Sequence, residues 1–221
     1  MLGPGVDSLA VPLSVDRVVL SPQYASNCYL VRASEDASEA AVVDPGGEPA
    51  PLFAELERLG ARVAGVLVTH ADVDHVAGVA EVAERTGAEA WVPAGEADDL
   101  RGGTPRGGYR VRPHDPAHLV VDGDSVTVAG IEFEVVGIPG HSRDHIAFAA
   151  QGALFSGDLL FAGSVGRVDF PGGDWQALLT SVKRLLDRYG ADAVVYSGHG
   201  EPTTLGRELE TNPFLGELRA A

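Results

Sequence analysis

Four apolar runs of this chain are each followed within three residues by a histidine or an aspartate, and this recurrence limits what the chain can fold into. The runs are VAGVLVT (63–69) before His70, IEFEVVGI (131–138) before PGH with His141, GALFSG (152–157) before Asp158, and AVVYSG (193–198) before His199. Short apolar runs rich in β-branched residues are typical of buried strands. Polar groups placed where rigid strands end are the usual construction of a functional site. We therefore expect a sheet-rich fold with a site at one edge.

The remaining pattern predicts helices packed on this sheet-rich core. Apolar residues at helical spacing mark WQALLTSVKRLLDRYG (175–190), which ends at Gly190. Helices are also expected at PLFAELERL (51–59) and HVAGVAEVAERTG (75–87). Further strands are expected at 17–20, 28–31, 40–43, 118–121, 125–130 and 145–150. No linker divides the sequence, so residues 1–221 are predicted to form a single α/β domain.

Composition excludes several classes of function. The net charge of −16 argues against a nucleic-acid partner, because an acidic surface repels phosphates. No run of about 18 apolar residues predicts a membrane span, and the N-terminus does not resemble a signal peptide, so a cytoplasmic location is expected. The single cysteine, Cys28, can form neither an intramolecular disulfide nor a cysteine-rich zinc site. Nothing in the sequence predicts the oligomeric state.

The stretch THADVDHVAG (69–78) concentrates the residues that a metal ion would need. It contains His70, Asp72, Asp74 and His75. Imidazole and carboxylate groups together suit Zn, Fe or Mn. Each residue also has a structural interpretation; Asp74, for example, could cap the helix that begins near His75. Four such clusters in one chain favour a metal site.

The order of these motifs resembles the metallo-β-lactamase superfamily. THADVDH stands for the family's THxHxDH, and it is followed by PGH (139–141), SGD (156–158) and GHG (198–200). Four further stretches are similar to short bacterial glyoxalase II-like (hydroxyacylglutathione hydrolase-like) enzymes: NCYLV (27–31), VVDPGG (42–47), FAGSVGRVDFPGGDW (161–175) and GHGEPTTLGRELETNPFL (198–215).

The resemblance implies an αββα sandwich of two mixed sheets flanked by helices, with two divalent metal ions at one edge. One ion would be held by His70, position 72 and His141, the other by Asp74, His75 and His199, with Asp158 bridging them. The implied activity is hydrolysis of a thioester, such as S-lactoylglutathione or a related acyl-thiol, by a hydroxide held between the metals. Asp74 would also orient that hydroxide as a catalytic residue.

Asp72 departs from the family pattern, which has histidine there. A carboxylate oxygen is as many bonds from Cβ as the nearer imidazole nitrogen, so Asp72 can serve as a ligand. A third carboxylate makes the centre less positive and richer in oxygen, which favours Fe or Mn over Zn. Alternatively Asp72 misses the metal and only accepts hydrogen bonds. A single iron on His70, His141 and Asp158 would then form a facial triad, as in the persulfide dioxygenases that this sequence also resembles.

Substrate recognition is the least determined part of the sequence. Arginine is frequent in residues 95–117, with Arg101, Arg106, Arg110 and Arg112. This segment is either a solvated loop or a lid that attracts an anionic small molecule. Arg143 follows His141 closely and is predicted to contact substrate. Arg167 is predicted to do the same, although a salt bridge with Asp169 is equally compatible with the sequence.

Overall fold

Two six-stranded mixed sheets pack face to face in the computed structural model, which describes residues 12–21, 23–106 and 109–220. The first sheet contains, in spatial order, β1 (Ser14–Leu20), β2 (Ser26–Arg32), β3 (Glu39–Val43), β4 (Arg62–Leu67), β5 (Ala90–Pro93) and β6 (His118–Val120). Strands β1 to β3 pair antiparallel, and β3 to β6 pair parallel. The parallel half directs the ends of β3, β4 and β5 to one edge.

The second sheet also has six strands but is mostly antiparallel. Its strands are β7 (Ser125–Val128), β8 (Ile131–Gly137), β9 (Ile146–Ala150), β10 (Ala153–Gly157), β13 (Val194–Ser197) and β14 (Thr203–Thr204), and a separate hairpin consists of β11 (Leu160–Phe161) and β12 (Ser164–Val165). The spatial order is β14-β13-β10-β9-β8-β7, with only the β10–β13 pair parallel.

Strand β2 shows how the sequence produces the layers. Successive side chains of a strand point to opposite faces. Tyr29 and Val31 pack between the two sheets, whereas Cys28 and Leu30 pack on the outer face beneath helices. Every residue of β2 is buried, so both faces of this sheet are covered. Full burial of each large apolar side chain stabilises the fold by about 1.5–3 kcal/mol.

Helices cover both outer faces. They are α1 (Ala50–Leu59), α2 (Val73–Val76), α3 (Val79–Thr86), α4 (Ala97–Gly102), α5 (Trp175–Tyr189), α6 (Leu205–Thr211) and α7 (Gly216–Ala220). Helix α5 begins at Asp174, whose side chain accepts a hydrogen bond from the Ala177 backbone N–H at 2.8 Å. Leu178, Val182 and Leu185 of α5 are buried against the second sheet. The αββα prediction is confirmed.

The helical segments differ in part from the sequence-based expectation. The predicted helix at 75–87 is divided into α2 and α3, because the Gly78 N–H donates to the Pro45 carbonyl at 2.8 Å. A Cβ atom on Gly78 would lie 2.6 Å from the Gly47 carbonyl oxygen, so the chain passes too close there for any other residue. The segment 95–117 is not wholly a loop, since it contains α4.

Asp74 lies inside the first turn of α2 and is not its cap; Asp72 occupies that position, without a capping hydrogen bond. Across the described part of the chain, no helix is long and apolar enough to cross a membrane.

Candidate metal centre

Loops after β4, β8, β10 and β13 bring the predicted metal ligands to one place. His70, His141 and Asp158 have donor atoms within 4.8 Å of one another, and so do Asp74, His75 and His199. Asp158 stands between the two groups: its Oδ1 is 3.3 Å from His75 Nε2, and its Oδ2 is 3.4 Å from His199 Nε2 and 3.8 Å from His141 Nε2. The structure therefore contains two adjoining donor groups that are able to hold metal.

Hydrogen bonds on the outer side of the rings fix which nitrogen carries the proton. His75 Nδ1 lies 2.9 Å from a carboxylate oxygen of Asp44, and His141 Nδ1 lies 2.7 Å from the carbonyl oxygen of Arg167. Carbonyl and ionised carboxylate oxygens only accept, so both Nδ1 atoms must donate. When the ring is neutral, as metal binding requires, the Nε2 atom of each ring keeps a lone pair that faces the cluster.

Asp44 also orients His70, through Thr69. The Thr69 hydroxyl donates to Asp44 Oδ2 at 2.7 Å, which leaves its oxygen to accept from His70 Nδ1 at 3.0 Å. The Thr69 backbone N–H donates to Asp44 Oδ1 at 2.8 Å. The sequence analysis did not identify Asp44, although the VVDPGG motif contained it. Asp44 is close enough to His70 and His75 to form a donor group with them, but its oxygens are already used in these bonds.

The nitrogen and oxygen atoms that face the inside of the cluster indicate whether a divalent cation would fit there. His70 Nε2, His75 Nε2 and Asp158 Oδ1 are buried, and none has a hydrogen-bond partner among the described residues. Buried acceptors without a donor are costly, so native proteins rarely leave them unpaired. Imidazole lone pairs and carboxylate oxygens are ligands that Zn, Fe and Mn accept. The donor chemistry of the cluster therefore fits divalent metal.

Charges within the cluster shift the pKa values of its histidines in opposite directions. Burial lowers the pKa of His70, and the neighbouring His75 lowers it further. Burial also opposes the charged form of His199, but hydrogen bonds to Asp158 and Asp74 outweigh it and raise the pKa of His199 to about 10. Its Nε2 is 3.2 Å from Asp74 Oδ2. Without a metal, His199 thus holds a proton that a metal ion would have to replace.

Asp72 lies beside the first donor group but is paired with an arginine. Its Oδ2 is 3.1 Å from His141 Nε2 and 3.8 Å from His70 Nε2. Both carboxylate oxygens accept from Arg106, Oδ1 from Nε at 2.6 Å and Oδ2 from Nη2 at 2.7 Å. Burial raises the pKa of Asp72, but the neighbouring His141 and the hydrogen bonds from Arg106 outweigh burial and hold it at about 2. Asp72 is therefore an ionised carboxylate in the folded protein.

A cavity of about 260 Å³ opens onto the cluster. Tyr24, Tyr109 and Phe170 form much of its wall, and Arg167 also lines it. The Arg167 guanidinium carbon lies 3.8 Å from the centre of the Phe170 ring and pairs with Asp169 at 2.7 Å. Arg167 thus both forms the ion pair that the sequence allowed and faces the cavity.

Arg143, which the sequence predicted to contact substrate, and the neighbouring His145 both lie outside this cavity. Arg143 is exposed and lines a separate cavity of about 320 Å³ with Asp144, so the structure does not bring it to the cluster. His145 is buried, with its ring centre 4.6 Å from that of His70. Within the described residues it belongs to neither donor group, and no part of the cavity is formed by it.

Strand β2 of the first sheet holds the His199 loop of the second. The Asn27 backbone N–H donates to the Gly198 carbonyl at 2.7 Å, and its side-chain amide donates to the carbonyls of Ser197 and Gly200, both at 2.8 Å. A Cβ atom on Gly198 would lie 2.2 Å from Asp158 Oδ1. Only glycine lets this loop approach the cluster. Sequence reasoning did not assign a role to Asn27, although the NCYLV motif includes it.

Two packed sheets with histidine and aspartate donor groups at one edge place this protein among the metal-dependent hydrolases of one superfamily. The chain belongs to the metallo-beta-lactamase superfamily, whose family model matches residues 22–199. It is 34% identical over 200 residues to the hydroxyacylglutathione hydrolase GloC of Haemophilus influenzae, covering 87% of this chain and 93% of that protein.

Two solved structures are similar to the chain along most of its length. The B3 metallo-beta-lactamase BLEG-1 superposes with a TM-score of 0.84 at 32% identity, covering 92% of this chain and 100% of BLEG-1. TTHA1623, solved in a di-iron-bound form, has a TM-score of 0.74 at 38% identity, covering 91% of this chain and 100% of that one.

Proposed function

We propose that this metal-dependent hydrolase cleaves thioesters of small thiols, with S-lactoylglutathione as the representative substrate. The observation that carries the hydrolytic part is the pair of donor groups that share Asp158 beneath an open cavity. The thioester part is supported by the similarity to GloC, whose name specifies hydrolysis of hydroxyacylglutathione. We further propose that the substrate is a small molecule, because the cavity of about 260 Å³ cannot admit a folded partner.

The two donor groups identify the residues that would hold metal. His70, His141 and Asp158 would hold one ion with Asp72 beside them, and Asp74, His75 and His199 would hold the other with Asp158 shared. When bound, divalent metal lowers the pKa of water and stabilises negative charge on a carbonyl oxygen. Asp72 supplies an additional anionic oxygen, which favours Fe or Mn in our proposal.

Side chains of the protein would orient the water that attacks the thioester. Asp74 lines the cavity, so its carboxylate can accept a hydrogen bond from the attacking water and orient it toward a bound carbonyl. During hydrolysis the water oxygen bonds to the carbonyl carbon, the C–S bond breaks, and the thiol leaves with a proton. No protein nucleophile is required, and Cys28 is buried in β2 beneath the helices.

The cavity wall matches an acyl-thiol in chemistry. Tyr24, Tyr109 and Phe170 offer apolar and aromatic contact for an acyl chain or thiol stem. Arg167 places a positive charge at the cavity, although the chain as a whole is strongly acidic. A carboxylate of the thiol carrier could pair with this guanidinium in competition with Asp169.

Hydrolysis of S-lactoylglutathione under anaerobic conditions by metal-loaded protein tests the proposal. Asp74→Asn should lower kcat about a hundredfold or more, and Arg167→Met should mainly raise KM. Lys183→Met, an exposed change on α5, is the matched control and should leave both unchanged. A chromogenic β-lactam belongs in the same panel, because BLEG-1 is a β-lactamase. Faster turnover of the β-lactam than of the thioester would overturn the proposal.

A second candidate follows from one specific observation. His70, His141 and Asp158 form a group of two imidazoles and one carboxylate, the composition of the facial triad in non-haem iron oxygenases. If this group alone is loaded, with iron, the chain would be a persulfide dioxygenase. Oxygen consumption by iron-loaded protein with glutathione persulfide would favour this activity, and its absence would remove it.

A further inference from the structure

One nitrogen of Arg106 lies within hydrogen-bond distance of two atoms that would coordinate a metal ion in the first group. Nη2 lies 2.5 Å from His141 Nε2 and 2.7 Å from Asp72 Oδ2. Since His141 Nδ1 donates to the Arg167 carbonyl, His141 Nε2 is an acceptor and receives a hydrogen from Arg106. A third bond, from Arg106 Nη1 to the His141 carbonyl at 2.5 Å, fixes the orientation of the guanidinium.

A guanidinium and a metal ion cannot bind these two atoms at the same time. Each needs the same lone pair of His141 Nε2 and the same oxygen of Asp72, and both are cations. The Asp72 and Arg106 side chains are each only 12% exposed, so water does little to weaken their attraction or to soften repulsion between two cations. Bidentate arginine–carboxylate pairs of this kind are among the stronger hydrogen-bonded contacts in proteins.

Within the described part of the chain, the second group has no competing cationic side chain of this kind. No arginine or lysine of the described residues forms a hydrogen bond or ion pair with the side chains of Asp74, His75 or His199. Their ionic contacts are with one another, with Asp158 and, for His75, with Asp44. The two halves of the centre are therefore unequal.

We propose that Arg106 guards the first metal position, so that Asp74, His75, His199 and Asp158 load first and the group of His70, Asp72 and His141 loads only when the guanidinium is displaced. The proposal rests on the metal centre of the proposed function. The proposal also explains why position 72 is an aspartate. The Asp72–Arg106 pair carries no net charge, as a neutral histidine carries none, but the two side chains of the pair can separate. Arg106 is here a positioning residue that acts through Asp72 and His141.

Metal counting during titration tests this directly. Metal-depleted protein is dialysed against buffered Zn²⁺ over a range of free concentrations, and bound zinc per chain is measured by elemental mass spectrometry. Wild type should bind its second ion at least about tenfold more weakly than Arg106→Met, because loss of the guanidinium leaves a buried carboxylate without a cation. Arg110→Met, which changes an exposed arginine of the same segment, is the matched control and should behave as wild type.

Two further variants show which group causes the tighter binding of the second ion, and they keep the test valid if one variant does not fold. Arg106→Met/Asp72→Asn should lose the gain, because the anionic oxygen is gone. Arg106→Gln keeps a polar side chain and should reproduce the Arg106→Met result; thermal unfolding of each metal-free variant shows whether it is folded. Equal affinity of the second ion in wild type and in the folded Arg106 variants would overturn the proposal.

These outcomes are separate from the thioesterase test. If the zinc counts differ as expected but S-lactoylglutathione is not hydrolysed, only the proposed substrate falls. If no variant binds zinc, the metal centre and the guarding role of Arg106 both fall.

Discussion

Asp44 Oδ2 accepts a hydrogen bond from His75 Nδ1 at 2.9 Å, and both residues are buried. The same oxygen accepts from the Thr69 hydroxyl, which in turn accepts from His70. One carboxylate outside the cluster therefore sets the ring orientation of one histidine in each donor group. Outer partners of this kind fix the tautomer of a metal-binding histidine and raise its basicity.

Asp44→Ala should lower metal affinity about 10–100-fold, because His75 loses its acceptor and the Thr69 hydroxyl, which accepts from His70, loses the carboxylate that orients it. Competition with a chromophoric chelator measures the affinity. Asp192→Ala, which removes an exposed carboxylate before β13, is the control and should leave affinity unchanged. If Asp44→Ala folds and binds metal as tightly as wild type, the orienting role is wrong.

Gly198→Ala should severely impair the centre, because the added methyl group would lie 2.2 Å from Asp158 Oδ1 and 2.5 Å from His75 Cε1. Displacement of the shared carboxylate by about 1 Å should reduce hydrolysis about a hundredfold. Metal content and kcat/KM are the measurements. Gly216→Ala offers a comparison, since its Cβ would meet only Arg219, at 3.7 Å. Normal metal content and activity in Gly198→Ala would contradict the close approach of Gly198 to Asp158.

Metal uptake should release a proton from His199. Asp158 and Asp74 raise its pKa in the folded, metal-free protein from 6.5 to about 10. The protonated form therefore stabilises metal-free protein fully below about pH 6.5, and this stabilisation is lost as the pH rises through about 10. Metal binding requires the neutral ring, so apparent affinity should increase with pH across this window.

Calorimetry in two buffers of different ionisation enthalpy measures the protons released. His199→Ala should release fewer protons than wild type, and its metal-free form should lose less thermal stability between pH 6.5 and 10. Equal proton release by both proteins would show that His199 is already neutral before metal binds.

Asp72→His should shift metal preference from Fe or Mn toward Zn, because it replaces an anionic oxygen with a neutral nitrogen. Elemental analysis after equilibration with equal concentrations of Mn²⁺ and Zn²⁺ gives the ratio. Asp98→His, an exposed change on α4, controls for the addition of a histidine elsewhere. An unchanged ratio would mean that Asp72 does not influence the metal.

The strand-end rule accounts for most of what the sequence could predict. His70, His141, Asp158 and His199 each follow an apolar run, and such runs became β4, β8, β10 and β13. A sheet-rich core with helices outside followed from the same runs and from the amphipathic helices, whereas the two-sheet αββα arrangement was implied by the resemblance to the superfamily. The division at Gly78 was not predictable from periodicity, since it arises from close contact with the Pro45 and Gly47 carbonyls.

Contacts between distant segments were the part that the sequence could not specify. Arg106 was one of four arginines in a segment without periodicity, and nothing local distinguished it from Arg101 or Arg110. Its pairing with Asp72 spans 34 positions and depends on how that segment returns to the cluster. Asp44 lies 31 positions from His75 and showed only a turn motif locally. Register along a strand can be read from a pattern, but the approach of two loops cannot.

The division of the donors between the sheets has a mechanical consequence. The loop after β4 of the first sheet supplies His70, Asp72, Asp74 and His75, whereas loops of the second sheet supply His141, Asp158 and His199. Bound metal therefore joins two layers that otherwise adhere through side-chain packing and a few hydrogen bonds. Its binding free energy adds to the cohesion of the whole sandwich. A chelator would therefore weaken the association of the two sheets, and amide hydrogen exchange should become faster in both sheets when the metal is removed.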